Sequence, residues 1–183
     1  MSARDVVRPL IRVRQIREFT EQPVSGEELD ALAEVARWTG SSRNSQPWRF
    51  VMIRNVETLR AIAAAGMPQT RSLRTAMAAI AIVMPGDSGM AISYAYDEAR
   101  AAERILIGAS MLGLGAAIAW VLAAVRPTVA SLLHLPEDRT IRTVVAIGHP
   151  SDAARRPKSA PGQARRPLAE LVFHERWPDA NDR

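Results

Sequence analysis

How the chain folds turns on "ILIGASMLGLGAAIAWVLAAV", Ile105–Val125. The run has no charged residue and is long enough to cross a bilayer, with Arg104 and Arg126 at its ends. Its composition argues against one continuous span. Ala and Gly are frequent, and Gly113-Leu114-Gly115 interrupts it. A Gly-x-Gly step ends a helix and opens a new element more often than it sits inside one. The stretch is therefore read as a buried helix, a turn and a short buried strand over Ala116–Val121. The helix begins upstream, around Tyr94 or Asp97, and reaches Leu112. Its second half is apolar nearly all round, which places it inside a core or an interface.

Working outward, "TVVAIGHP" (Thr143–Pro150) and "AMAAIAIVMP" (Ala76–Pro85) are continuous apolar runs, expected as buried strands. "RFVMIRN" from Arg49 is a third buried strand. A helix is expected near Thr128–His134. Asn55 caps another through Ala65, stopped by Gly66 and Pro68. "SGEE" is a capping box in which Ser25 and Glu28 open a helix to about Trp38, with Leu29, Leu32, Ala33 and Ala36 on one face. A first helix is expected over Arg4–Val13, with Val6, Val7, Leu10 and Ile11 turned inward and Pro9 limiting or kinking it. Residues 151–163, rich in Pro, Ala and Arg, form an extended arm. Beyond them Leu168, Leu171, Val172 and Phe173 suggest docking at a distance, on a second subunit. Helices and strands mix without a regular βαβ beat, so the class is α+β. Residues 1–183 are expected to form a single domain.

Composition closes several routes. The chain has no cysteine, which removes thiol catalysis, disulfides and thiolate metal sites. His134, His149 and His174 lack metal-ligand spacing, so no metal is expected. The net charge is +5, almost all of it from arginine, Lys158 being the only lysine. Such a balance can mark a nucleic-acid partner. Here the arginines are interspersed with acids and no long basic face with interleaved aromatics exists, so none is expected. No secretory pattern opens the chain, and a cytoplasmic protein with no membrane association is expected.

No acid, base or nucleophile constellation stands out. Either the domain binds something, or a cofactor carries the chemistry. "RVRQIREF" places Arg12, Arg14 and Arg17 close together, and Arg165-Arg166 form a second pair. In an extended segment Arg12 and Arg14 point one way and Arg17 another. Arginine forks suit a phosphate. "GSSRNSQPWRF" (Gly40–Phe50) offers Ser41, Ser42, Asn44 and Gln46 to a polar, uncharged ligand, or to its own backbone. Pro47 biases Gln46 toward an extended conformation. Trp48 packs inward and anchors the strand that follows.

Three blocks in order resemble the FMN-dependent nitroreductase family. They are "RQIREFTEQPVS", "ARWTGSSRNSQPWRFVMI", and "GLGAAIAW" followed by "VVAIGHP" and "RRPLAELV". The resemblance covers nearly the whole chain. It implies a nitroreductase-like fold, with a central mixed sheet flanked by helices. It also implies an intertwined homodimer with an extended C-terminal arm (151–183) and FMN at the subunit interface. It implies that Arg14, Gln15 and Arg17 touch the flavin, Arg14 toward the phosphate and Arg17 toward the pyrimidine edge of the ring. There Arg17 would act as an electrostatic tuner, since a reduced flavin gathers negative charge at that edge. Arg165 and Arg166 join the phosphate, and Gln69 lies near the ring. The backbone of Ala117, Ile118, Ala119 and Trp120 passes the ring. Ser41, Ser42, Asn44 and Gln46 reach the flavin of the opposite subunit.

The implied activity is ping-pong, two-electron transfer from NAD(P)H through FMN to an electron-poor acceptor such as a nitroaromatic or quinone. No side chain of the chain itself is catalytic in that scheme. The sequence departs from relatives at Val13, where many have an arginine, at Gln15, where a small hydroxyl residue is usual, and at Ala119, where an acid is common. The segment between Ala76 and Gly113 leaves little room for a lid. A flavoprotein of this fold with another reaction, such as a dehydrogenase or dehalogenase, and a non-enzymatic flavin carrier are the alternatives.

Overall fold

Four strands form the centre: β1 (Arg49–Ile53), β2 (Ala78–Pro85), β3 (Gly115–Trp120) and β4 (Arg139–Gly148), in the spatial order β1-β2-β4-β3. The helices are α1 (Ala3–Arg12), α2 (Gly26–Arg37), α3 (Val56–Ala65), α4 (Ala91–Met111), α5 (Arg126–Leu132) and α6 (Asp152–Arg155). The computed structural model describes residues 1–86, 89–156, 159, 160, 163 and 165–177, so Lys158 and parts of the arm lie outside the described residues.

The sheet divides two apolar layers. On β2, Ile80, Ile82 and Met84 face α2 and α4, meeting Leu32, Ala36 and Ile105. Ala79 and Ala81 face the other way, toward Leu59 and Ile62 of α3 and Val129 of α5. β4 alternates in the same manner, with Val145 and Ile147 on the first face and Val144 and Ala146 on the second. This period of two is what lets two continuous apolar runs serve both faces at once. The expected mixed sheet is corrected on one point: every ladder among the described residues is antiparallel. The connections β1–β2 and β3–β4 each leave and re-enter at one end of the sheet, which antiparallel neighbours require.

The stretch Ile105–Val125 divides as its glycines suggested. α4 stops at Met111, Gly113 takes φ +76°, and β3 starts at Gly115. The positive φ at Gly113 is open to glycine at no steric cost. Gly115 serves a different need. A Cβ there would lie 2.7 Å from Cγ2 of Ile16, so only a glycine lets residues 14–17 run against β3. Among the described residues no helix is long and apolar enough to cross a membrane.

Local signals hold well. Ser25 Oγ accepts from Glu28 N, and Glu28 Oε2 accepts from Ser25 N at 2.8 Å, closing the capping box of α2. Asn55 caps α3 through the N–H groups of Glu57 and Thr58.

Other expectations need correction. Val6, Val7, Leu10 and Ile11 do not turn inward; α1 runs through Pro9 to Arg12 with no buried residue. An apolar stripe says that a helix face is to be covered, not by which chain. β1 is an edge strand, exposed at Arg49 and buried only at Ile53. β4 begins at Arg139, four residues before its apolar run, because Pro85 and Met84 of β2 extend the ladder along half-buried polar residues. The arm is not extended at its root, where Ser151 caps the short helix α6. Its apolar residues Leu168, Leu171, Val172 and Phe173 are exposed.

One ionic feature sits in the core. Glu98 of α4 is only 4% exposed, and Arg142 Nε of β4 lies 3.2 Å from its Oε2. Burial pushes the Glu98 carboxyl above the usual glutamate range, and Thr143 and Arg142 oppose that rise. A raised folded-state value stabilises the fold fully only while the group is protonated, and the contribution fades as pH climbs through the window above the ordinary value. Glu98→Gln should therefore gain Tm relative to the parent as pH rises from about 4 to about 7. Parallel Tm-against-pH curves for the two proteins would refute this.

Candidate functional site

Residues 13–18 follow α1 and run along the free edge of β3. Ile16 N donates to Ala116 O at 2.8 Å, and farther on Ser151 N donates to Glu18 O and Thr20 N to His149 O. Ile16 and Phe19 are buried, so Gln15 and Arg17 point outward from the same edge. Gln15 Oε1 there accepts two bonds, from Ile118 N at 3.2 Å and from Arg17 Nη2 at 3.0 Å. The amide thus ties Arg17 to the backbone of β3, at the residue where the resemblance placed a flavin ring.

This segment forms one wall of a cleft of about 880 Å³, opposite α6 and the arm, which contribute Ala154, Arg155, Ser159 and Arg165. The volume suits a cofactor cleft. Arg12, Arg14, Arg17, Arg155 and Arg165 all line it, against Glu18 as the one acid among the lining residues. α1 ends at Arg12 and Val13 turns extended, so all of residues 11–18 border the cleft. Within it Arg14 reaches the root of the arm, whereas Arg17 reaches Gln15 beside β3.

Arg14 has a second task. Its Nη2 donates to Ala154 O at 2.8 Å and to Arg155 O, and its Nη1 to Arg156 O at 3.1 Å. These are carbonyls that a helix end leaves without intrahelical partners. Arg14 therefore fastens the root of the arm while lining the cleft. Arg165 lies on the same cleft, whereas Arg166 does not line it and is paired with Glu170 at 2.7 Å.

The loop Gly40–Phe50 lies elsewhere. Arg43, Asn44 and Gln46 take φ values of 53°, 55° and 46°, a rare sequence of left-handed non-glycine residues. Gln46 is accordingly not extended, although Pro47 follows it. Its N–H is held by Ser41 Oγ at 2.9 Å, and that bond overrides the proline's preference. Gln46 Nε2 donates to Asn44 Oδ1 at 3.1 Å. Ser42 N faces both carboxylate oxygens of Asp97, each at 3.2 Å. Ser41, Ser42, Asn44 and Gln46 do not line the cleft of their own chain.

Gln69 is exposed after Pro68 and does not line the cleft either. On β3, Ala117 and Ala119 are buried, Ile118 is half-buried and Trp120 is exposed. Asp97, Arg155 and Ser159 escaped the sequence reading. Asp97 alone had a signal, an acid set among the apolar positions of a long helix. Among the described residues no group of three or more His, Asp or Glu could hold a metal ion.

The chain is similar to known proteins over most of its length. The profile of the Nitroreductase family matches residues 12–83. A protein of Archaeoglobus fulgidus, provisionally named NADH dehydrogenase/NAD(P)H nitroreductase, is 30% identical over 148 residues, 76% of this chain and 82% of its own. One of the same name from Methanothermobacter thermautotrophicus is 27% identical over 163 residues, 83% of this chain and 81% of its own. A provisionally assigned nitroreductase from Desulfovibrio desulfuricans, solved in complex with FMN, superimposes with a TM-score of 0.75 at 26% identity, covering 97% of this chain and 100% of that one. The α+β architecture, the order of the three motif blocks and these relatives agree: the chain belongs to the nitroreductase family.

Proposed function

We propose that the chain is an FMN-dependent oxidoreductase that takes electrons from NAD(P)H and works as a homodimer. The observation that carries the reading is the joining of Arg14, Gln15, Arg17 and Arg165 around one cleft, from segments about 150 residues apart in sequence. The fit to FMN is chemical. Arg14 and Arg165 bring positive charge suited to a phosphate, Arg14 with the N–H groups it does not spend on the arm, and Arg17 presents its guanidinium to the electron-rich edge of a heterocycle. Gln15 orients Arg17, and the backbone of Ala117–Trp120 supplies the edge along which a flat ring would lie. Bound there, FMN would supply two-electron transfer between NAD(P)H and an electron-poor small molecule such as a nitroaromatic or quinone.

The same reading assigns Ser41, Ser42, Asn44 and Gln46 to the cleft of a second copy, since they do not reach the one in their own chain. The exposed apolar residues of α1 and of the arm supply surface for that association. The arm, 151–183, would dock on the partner, with residues 1–183 as one domain. Arg166 and Gln69 are weaker members of the site.

The test is one anaerobic titration. The purified protein should be yellow, and its flavin band should bleach on addition of NADPH or NADH and return with a nitroaromatic or quinone. A flavin band that neither donor bleaches would make the protein a carrier. A colourless protein that takes up no added FMN would remove the flavin reading altogether.

A further inference from the structure

The geometry points to Asp97 as the positioning residue that holds the Ser41–Gln46 loop in its binding shape, a role that rests on the flavin reading only for its consequence. Asp97 lies on α4, some 55 residues from the loop, with its side chain 3% exposed. A carboxylate in such a place costs stability unless it is bonded, and an apolar residue would fill the space more cheaply. Its bonds go to the loop: both oxygens stand 3.2 Å from Ser42 N. Its other charged neighbour, Arg100, is loose at 3.8 Å and largely exposed. The backbone of Gly40 packs against that same guanidinium, where a Cβ would come within 2.7 Å of Nη2.

The loop needs such an anchor. Left-handed φ at Arg43 and Gln46 is disfavoured for residues of that size and persists only where the surroundings fix it. Ser41 Oγ fixes the Gln46 end, and Asp97 fixes the Ser42 end. Between the two clamps lies Asn44, whose Oδ1 accepts from Gln46 Nε2 at 3.1 Å, and the flavin reading assigns this pair of amides to the ligand. Asp97 touches no ligand in this scheme; it acts through Ser42.

The test compares the parent with Asp97→Ala and Asp97→Asn, all flavin-free, by limited trypsinolysis well below Tm. Cleavage after Arg43 should rise tenfold or more in the alanine variant relative to cleavage in the arm. It should return to within about threefold of the parent in the asparagine variant, which keeps an oxygen for Ser42 N–H. Equal cleavage after Arg43 in all three would overturn the role. Should the alanine variant not fold, hydrogen exchange of the parent decides. Ser42 N–H must exchange at least tenfold more slowly than Arg43 N–H, and equal rates refute the anchor. FMN added to the three proteins should bind about tenfold more weakly to the alanine variant and near-normally to the asparagine one. If the parent itself takes up no FMN, the flavin reading fails while the protease comparison still decides the anchor.

Discussion

Replacing Trp48 by alanine should destabilise the fold by about 3–5 kcal/mol, the range for losing a large aromatic from a packed core. Trp48 is 5% exposed and belongs to the apolar layer that holds Leu32, Ile82 and Ile105. Its ring stacks on that of Phe50 with centroids 6.2 Å apart, a contact that adds to area burial. Its position makes the loss worse. β1 is an edge strand of only five residues, paired on one side to β2, and Trp48 immediately precedes it. Without the indole, the start of β1 and the end of the polar loop lose their common anchor. For a chain of this size the loss corresponds to a fall in Tm of roughly 6–20 °C. Trp48→Phe, which keeps a ring, should cost well under half as much. A urea-unfolding difference below about 1 kcal/mol for the alanine variant would mean that the indole is not the anchor described.

The contrast between Trp48 and its neighbours shows what was readable. A tryptophan after proline at the start of an apolar run has one sensible place, and it is found there. The Ser25–Glu28 box and the Asn55 cap were equally legible, because each is written within four residues and its physics is local. The break at Gly113 and Gly115 was legible for the same reason. What escaped were facts about distant partners. Nothing near Arg14 announces that its guanidinium will meet carbonyls about 140 residues away. Nothing near Ser42 announces Asp97. The pattern of α1 gave its apolar face, but not that this face would lie exposed among the described residues. The left-handed Gln46 is a tertiary outcome too, since a bond from Ser41 outweighs the local effect of Pro47. The candidate site was therefore legible as two polar groups of residues. Their separation was already implied by the resemblance; the folded chain adds its geometry, with one group on the cleft and the other away from it.

That separation makes Arg14→Ala the most informative change to the cleft. The side chain should contribute a charge-assisted bond to the FMN phosphate, worth about 1.5–3 kcal/mol. Its loss should weaken FMN binding roughly 10- to 150-fold, read by quenching of flavin fluorescence on the apoprotein. A second effect follows from the bonds to Ala154, Arg155 and Arg156, which the alanine cannot make. The root of the arm should loosen, and Arg165 with it, so amide exchange over residues 152–156 should quicken even with no flavin present. Arg14→Lys separates the two contributions. The ammonium restores a charge to the cleft but lacks the planar fork that reaches three carbonyls at once. Affinity should recover in part while exchange in α6 stays fast. Arg17→Ala should behave differently from both, leaving α6 exchange unchanged and lowering the flavin's reduction potential, because its guanidinium is tied to Gln15 and not to the arm. If Arg14→Ala altered neither FMN affinity nor exchange at the arm's root, the cleft would not be the place where the phosphate and the arm are held by one residue.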